Sequence, residues 1–385
     1  MVSPIKYSVG ADVSKSEIYV AMLLQTNDLK TVVKGTRKFA NTSDGFKQLE
    51  NWIHSHKKFD VAVHITMEAT GNYHENLAFY FDNKGFTVNV VLPNKAKKYL
   101  QSLGNKSKND KIDARGLAQM GAEQPLMQWK PFSESIYGLR SLTRYCEQLS
   151  VHRTMYKNQY EALAYGMYQV EDVKKQMLEL IKTVEKQIFE TKKKIETMVK
   201  QDKKIWERME KILTIKGLGI YSLATIVAET NGFEIFNNER QLCSYAGYDI
   251  IENQSGKRNG KTRISKKGNS HIRRILHLPA FNVVRYGEKK FVQIYERIMN
   301  RHNKKMVAYV AIQRKLLALI YTLWKKNDVY NADYQSTFGN VESKVLFPVG
   351  SKRAEQKSSP INFGATQDEL SYNVSSEVLF PVRQR

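Results

Sequence analysis

Residues 7–24 read YSVGADVSKSEIYVAMLL. Apolar residues flank the polar segment Asp12 to Ser16 in runs too short for helices, so two strands joined by a turn are expected. Thr31 to Ala40 offers a third strand, which makes an antiparallel meander. Beyond it the pattern changes. Thr42, Ser43 and Asp44 can start a helix over 43–56, and 61–67 reads as a strand ending at Glu68. A helix over 73–83, a strand over 87–92 closed by Pro93 and a helix over 111–121 follow. Alternation of α and β after a meander predicts an α/β domain within residues 1–145.

The chain has 385 residues, 42% of them apolar and 11% aromatic, enough for two or three domains with real cores. Sixty-one Lys and Arg against thirty-eight Asp and Glu leave a net charge of +23, which self-repels unless a polyanion neutralises it. Nucleic acid is the first partner that this suggests. Cys146 and Cys243 are the only cysteines and have no ligand spacing, so a disulfide framework or a zinc finger is excluded. The start lacks a long apolar segment and no eighteen consecutive residues are apolar, which points to a cytoplasmic protein without a membrane span.

From Met177 the chain steps by four and three through Ile181, Val184, Ile188, Thr191, Ile195, Met198, Asp202, Ile205 and Met209. Such spacing predicts a helical coiled-coil linker, or a long helical hairpin, over residues 146–210, with self-association into a dimer or tetramer. One helix packed on its own domain satisfies the same pattern. Residues 212–229, ILTIKGLGIYSLATIVAE, offer helix, Gly217-Leu218-Gly219 turn and helix, a helix-hairpin-helix-like element opening a mainly α domain over 211–328. The tail, 329–385, is polar but carries VLFPV twice, at 345–349 and 378–382. These copies read as docking strands or as an adventitious extension.

Four carboxylates stand out. Asp12 ends the first strand, Glu68 the fourth, and Asp110 and Asp113 open a helix, where a spacing of three puts both on one face. Gathered together, four negative charges call for a divalent metal, Mg²⁺ or Mn²⁺ in its place, able to activate a nucleophile at phosphorus. Taken singly, each serves equally well as a turn residue, a solvated strand end or a helix cap.

The phrases VGADVSK at 9–15, TMEATGNY at 66–73 and NKSKNDKIDARGLA at 105–118 resemble the three acidic motifs of the IS110, IS116 and IS902 transposases. Residues 212–229 and the stretch QLCSYAGYDIIENQSGKRNGKTRISKKGNSHIRRIL at 241–276 resemble the same family's C-terminal domain. The likeness spans roughly residues 7 to 325 and leaves the tail uncovered. It implies an RNase H-like, RuvC-like first domain, and Asp12, Glu68, Asp110 and Asp113 as its metal-binding set. It also implies a serine nucleophile at Ser255, DNA as substrate and targets chosen by a structured guide RNA. Members commonly carry a proline a few residues after the AG or LG pair, where this chain reads Ala246-Gly247-Tyr248-Asp249-Ile250.

Around Ser255, residues 253–287 hold nine Lys or Arg and no acidic residue. Lys257, Arg258, Lys261, Arg263, Lys266, Lys267, Arg273 and Arg274 are the candidate phosphate contacts. Two other functions share these features: a RuvC-like nuclease that uses water, and a nucleic-acid-binding protein without catalysis. A third alternative is a tyrosine recombinase, because His271-Ile272-Arg273-Arg274 contains H-x-x-R and Tyr286, Tyr295 and Tyr309 follow.

Overall fold

The computed structural model describes residues 2–69, 71–104, 107, 109–256, 258–260 and 262–332; at 258 and 259 only the backbone is described. Lys257, Lys261 and both VLFPV copies therefore lie outside the described residues.

The first domain is built on a five-stranded sheet of order β3-β2-β1-β4-β5. Its strands are β1 (Pro4–Val13), β2 (Glu17–Thr26), β3 (Thr31–Ala40), β4 (Ala62–Glu68) and β5 (Thr87–Val91). β1 pairs antiparallel with β2, and β2 with β3, whereas β4 runs parallel to β1 and β5 parallel to β4. This is the mixed order expected of an RNase H-like domain.

Both faces of the sheet are covered, which is why β2 reads as a continuous apolar run instead of an alternating one. On one face, Tyr7, Val9, Ala11 and Val13 pack with Phe46, Leu49, Trp52 and Ile53 of helix α1 (Ser43–His56) and with Leu77 and Phe81 of α2 (Glu75–Asn83). On the other, Ala21 and Leu23 meet Ala114 and Ala118 of α4 (Asp110–Glu123). Pro93 does not merely end β5. It occupies the first turn of α3 (Pro93–Ser102), where a missing N–H costs nothing.

Two antiparallel helices follow, α5 (Glu134–Ala164) and α6 (Glu171–Gln201). The expected seam is buried within this chain: Ile181, Val184, Ile188, Thr191 and Ile195 are at most 7% exposed. Val184, Ile188 and Ile195 share one core with Leu139, Cys146 and Leu149 of α5. The long-hairpin alternative accounts for the spacing, so the seam itself supplies no surface for a second copy. Asp202, a polar position of that spacing, ends α6 and caps α7 (Lys203–Ile212), accepting from the Ile205 N–H at 3.2 Å.

The remaining helices are α8 (Ile220–Glu229), α9 (Glu239–Tyr245), α10 (Ser270–Ile275), α11 (His277–Arg285), α12 (Lys289–His302) and α13 (Lys305–Lys326). They continue the same core, from Leu218 to Trp324. Between α7 and α8, Gly217 (φ +95°) packs against α11, where a Cβ would stand 2.7 Å from the Asn282 Cβ. This turn is a packing point. α13 is long and apolar enough to cross a membrane by length and composition, yet its Ile312, Leu316, Leu317 and Ile320 are fully buried in the core.

Candidate active site

Even-numbered residues of β1 face α4. Ser8 donates from its hydroxyl to the Ala118 carbonyl at 2.6 Å, and a Cβ on Gly121 would meet Ser8 Oγ and Thr66 Oγ1 at 2.7 and 2.2 Å. One step up the strand, a Cβ on Gly10 would stand 2.1 Å from the Ala114 carbonyl oxygen and 2.2 Å from the Ala118 nitrogen. Two strand residues rise about 6.6 Å and one helical turn about 5.4 Å, so α4 runs antiparallel to β1 in near step with it. The next residue on this face is Asp12, and the next turn of α4 towards its start holds Asp110 and Asp113.

Glu68 belongs to the same end. The parallel ladder pairs Gly10 with Thr66 and Ala11 with Met67, so Asp12 and Glu68 each follow the last pair on adjacent strands. Asp12, Glu68 and Asp113 are partly buried and Asp110 is exposed. Asn109 caps α4, its side-chain oxygen accepting from the Ile112 N–H at 2.9 Å. That cap fixes where the helix begins, and with it the direction of both aspartates.

The four carboxylates thus share one edge, but no group of three or more Asp, Glu, His or Cys side chains among the described residues is close enough to hold a metal ion. The donor chemistry nevertheless fits a hard divalent cation, because every candidate ligand is a carboxylate oxygen. Sequence reasoning missed Asn41. Its amide donates to the Ser14 carbonyl at 2.8 Å and to the Tyr73 carbonyl at 3.2 Å, tying the turn after Asp12 to the loop after Glu68. Its neighbour in that loop, His74, is buried, with no partner for Nδ1 among the described residues. Burial lowers its pKa, opposed by Glu75 and a hydrogen bond to the Gly71 backbone.

Ser255 lies elsewhere in the chain, on a β arm absent from the sequence reading. β6 (Ile250–Ile251) pairs with β9 (Arg263–Ile264), and β7 (Gln254–Ser255) with β8 (Arg258–Asn259). The pair sums differ by one between the two ladders, so the returning strand has one more residue between them than the outgoing strand. Gly256, at φ +54° in open space, turns the chain beyond Ser255. Ser255 is therefore at an exposed tip.

The root of the arm is fixed by contrast. Ser265 N–H donates to the Asp249 carbonyl at 2.7 Å, Lys266 N–H to Gly247 at 3.0 Å and Asn269 N–H to Tyr245 at 2.7 Å. Ser244 Oγ adds a bond to Asp249 Oδ2 at 2.6 Å. These bonds hold the segment 246–250, where the chain departs from the proline common in the family it resembles.

The basic residues divide. Arg263, Lys266 and Lys267 are exposed along the arm. Arg273 departs from its expected part as a phosphate contact: it is half-buried and donates to the Ala246 and Asn269 carbonyls at 2.7 and 3.2 Å. Arg274 pairs with Glu147 Oε1 at 3.0 Å, and His271 Nδ1 lies 2.6 Å from Glu147 Oε2. Two residues of the H-x-x-R pattern are thus engaged by one carboxylate of α5. Burial and the neighbouring Tyr295 raise the Tyr309 pKa.

Two family profiles match the chain. A transposase profile of the DEDD IS110 type covers residues 9–169, and the profile described as transposase IS116/IS110/IS902 family covers 209–296. The pilin gene-inverting protein of Moraxella bovis is 27% identical over 324 residues, 84% of this chain and 97% of that protein. A transposase for the insertion sequence element IS1111A from Coxiella burnetii is 23% identical over 301 residues, 69% of this chain and 79% of its own. Among solved structures, RuvC of T. thermophilus in complex with a Holliday junction substrate is 11% identical, with a TM-score of 0.24 over 29% of this chain and 90% of that one. With one profile on the carboxylate domain and the other on the domain of the serine arm, the chain belongs to the IS110/IS116/IS902 family of transposases, enzymes that act on DNA.

Proposed function

We propose that this transposase breaks and rejoins DNA with Ser255 as nucleophile and with Asp12, Glu68, Asp110 and Asp113 holding a divalent metal, Mg²⁺ or Mn²⁺. The observation that carries this reading is the arm: an exposed serine at the tip of a hairpin whose root is pinned by backbone bonds. A hydroxyl so placed can enter a DNA groove without dragging the domain with it.

Ser255 Oγ attacks phosphorus, its proton leaves, the Oγ–P bond forms and the bond to a deoxyribose oxygen breaks. The departing oxygen takes up a proton. Reversal with a different strand end rejoins the DNA without ATP, because the phosphoseryl ester retains the phosphodiester's energy. Inversion, the act in the name of the Moraxella relative, requires such resealing. Direct hydrolysis by water would lose it. When bound, the metal supplies Lewis-acid stabilisation of charge on phosphate and leaving oxygen. Arg263, Lys266 and Lys267 hold the DNA backbone along the arm, joined in this reading by Lys257, Arg258 and Lys261.

Further parts of the proposal are a structured guide RNA that selects the target, assembly as a dimer or tetramer, and a cytoplasmic, nucleoid-associated location. The excess of +23 supports a nucleic-acid-rich assembly. The test is a denaturing gel of labelled DNA after reaction, with peptide mapping of any covalent adduct. Ser255→Ala should bind DNA yet lose both cleavage and adduct, and Asp113→Asn should lose metal-dependent cleavage. Cleavage persisting in Ser255→Ala would leave a nuclease that uses water.

A further inference from the structure

Glu229, the last residue of α8, has a side chain with no solvent exposure. A buried carboxylate is costly unless paired, and this one is paired from two directions. Arg144 of α5 donates to its two oxygens from Nε and Nη2 at 2.7 and 3.0 Å. From the other side, the Asn269 amide donates to Oε2 at 2.7 Å. Burial alone would raise the Glu229 pKa, but these bonds together hold it below the ordinary carboxylate range.

Asn269 is the return point of the serine arm. The chain leaves the helical core after Tyr248, itself buried there, and rejoins it at Asn269, whose N–H closes the neck on the Tyr245 carbonyl. Its Oδ1 caps α10 by accepting from Ile272 N–H at 3.1 Å, so the same side chain starts the next helix. The Tyr245 hydroxyl donates to the Glu229 carbonyl at 3.2 Å. A second tie runs in parallel, because Glu147 of α5 binds His271 and Arg274 of α10. Packing alone needs no charge here, since apolar residues of similar volume would fill the space at lower cost. The bonds add direction.

We propose that Glu229 is a positioning residue: with Arg144 and Asn269 it locks the neck of the arm to α5 and so sets where Ser255 is presented. The inference rests on the reading of Ser255 as the arm's reacting group, but the clamp has a readout of its own.

Two single variants and their combination test it in the full chain. Asn269→Asp keeps an oxygen to cap α10 but turns a donor into a second carboxylate facing Glu229. Glu229→Gln keeps the shape but removes the charge that holds Arg144. Combined, they exchange amide and carboxylate and restore the bond with reversed polarity. Amide hydrogen exchange at Lys266 and Asn269 reports on the neck, and DNA binding and the rate of covalent adduct formation report on function. Asn269→Asp should keep DNA affinity, speed exchange at both amides and slow adduct formation about tenfold or more, as expected for a misplaced reacting group. The combined variant should recover part of both, because the new amide at position 229 can donate to the new carboxylate at position 269 but no longer offers Arg144 two carboxylate oxygens. Unchanged exchange in Asn269→Asp, or failure of the combined variant to recover protection, overturns the clamp. If the parental protein forms no adduct at Ser255 while exchange behaves as stated, the serine reading falls and the clamp stands. Loss of fold in both single variants with recovery in the combined one supports the pairing, and loss of fold in all three overturns it.

Discussion

Gly10 has no room for a methyl group. Its two nearest neighbours in that direction are backbone atoms of α4, which cannot rotate aside as a side chain would. Gly10→Ala should therefore push the helix that carries Asp110 and Asp113 off the sheet. A destabilisation of about 1–3 kcal/mol or more is expected from denaturant titration, with metal-dependent cleavage falling further than stability does. Gly219→Ala is the control. Gly219 has φ −92° and nothing within 4 Å of a Cβ, so its replacement should cost below about 1 kcal/mol. Equal losses in the two variants would show that α4 does not depend on close approach at Gly10. The acidic residues were legible because each stands beside a strand end or a helix start. Gly10 was not, because the reason for it lies in a helix about a hundred residues further along the chain, and no local pattern encodes that contact.

At the level of elements, spacing revealed which face of α6 is buried but not what buries it. Steps of four and three are the same whether the partner is another chain or α5, and the structure fills the seam with α5. α5 itself left a weak trace, since its buried positions Leu139, Thr143, Cys146 and Leu149 include a threonine and a cysteine. The serine arm left less, because two-residue strands carry no period. Ile188, 6% exposed, separates the two kinds of seam. Ile188→Ala should lower unfolding stability by about 2–4 kcal/mol in a manner independent of protein concentration. Sedimentation should not change. A loss of stability that grows on dilution, or a shift to a smaller species, would return the seam to an interface between copies.

Across the whole molecule, charge distribution matters more than the total. Many cations are neutralised locally, as where Lys38 meets Glu17, Lys200 meets Glu196 and Arg274 meets Glu147. The arm beyond Glu252 is different, since residues 253–268 contain no Asp or Glu and the exposed Arg263, Lys266 and Lys267 lie along the path to Ser255. Each phosphate neutralised by such a cation releases counterions, which gives a slope of log affinity against log salt of about −0.9 per contact. Replacing Arg263 and Lys267 with Gln and Lys266 with Asn should flatten that slope by up to about 2.7 if all three touch backbone. Asn suits position 266, where φ is +54°. Affinity should fall alike for every DNA sequence, because phosphate contacts carry no base information. Arg273→Gln should behave otherwise. Its guanidinium holds the Ala246 and Asn269 carbonyls, so the variant should lose arm order and stability while the salt slope stays near the parental value. Titrations at four or more salt concentrations check both. A parental slope in the triple variant, or a flattened one in Arg273→Gln with stability intact, would place the nucleic acid on the α10 side of the domain and not along the arm.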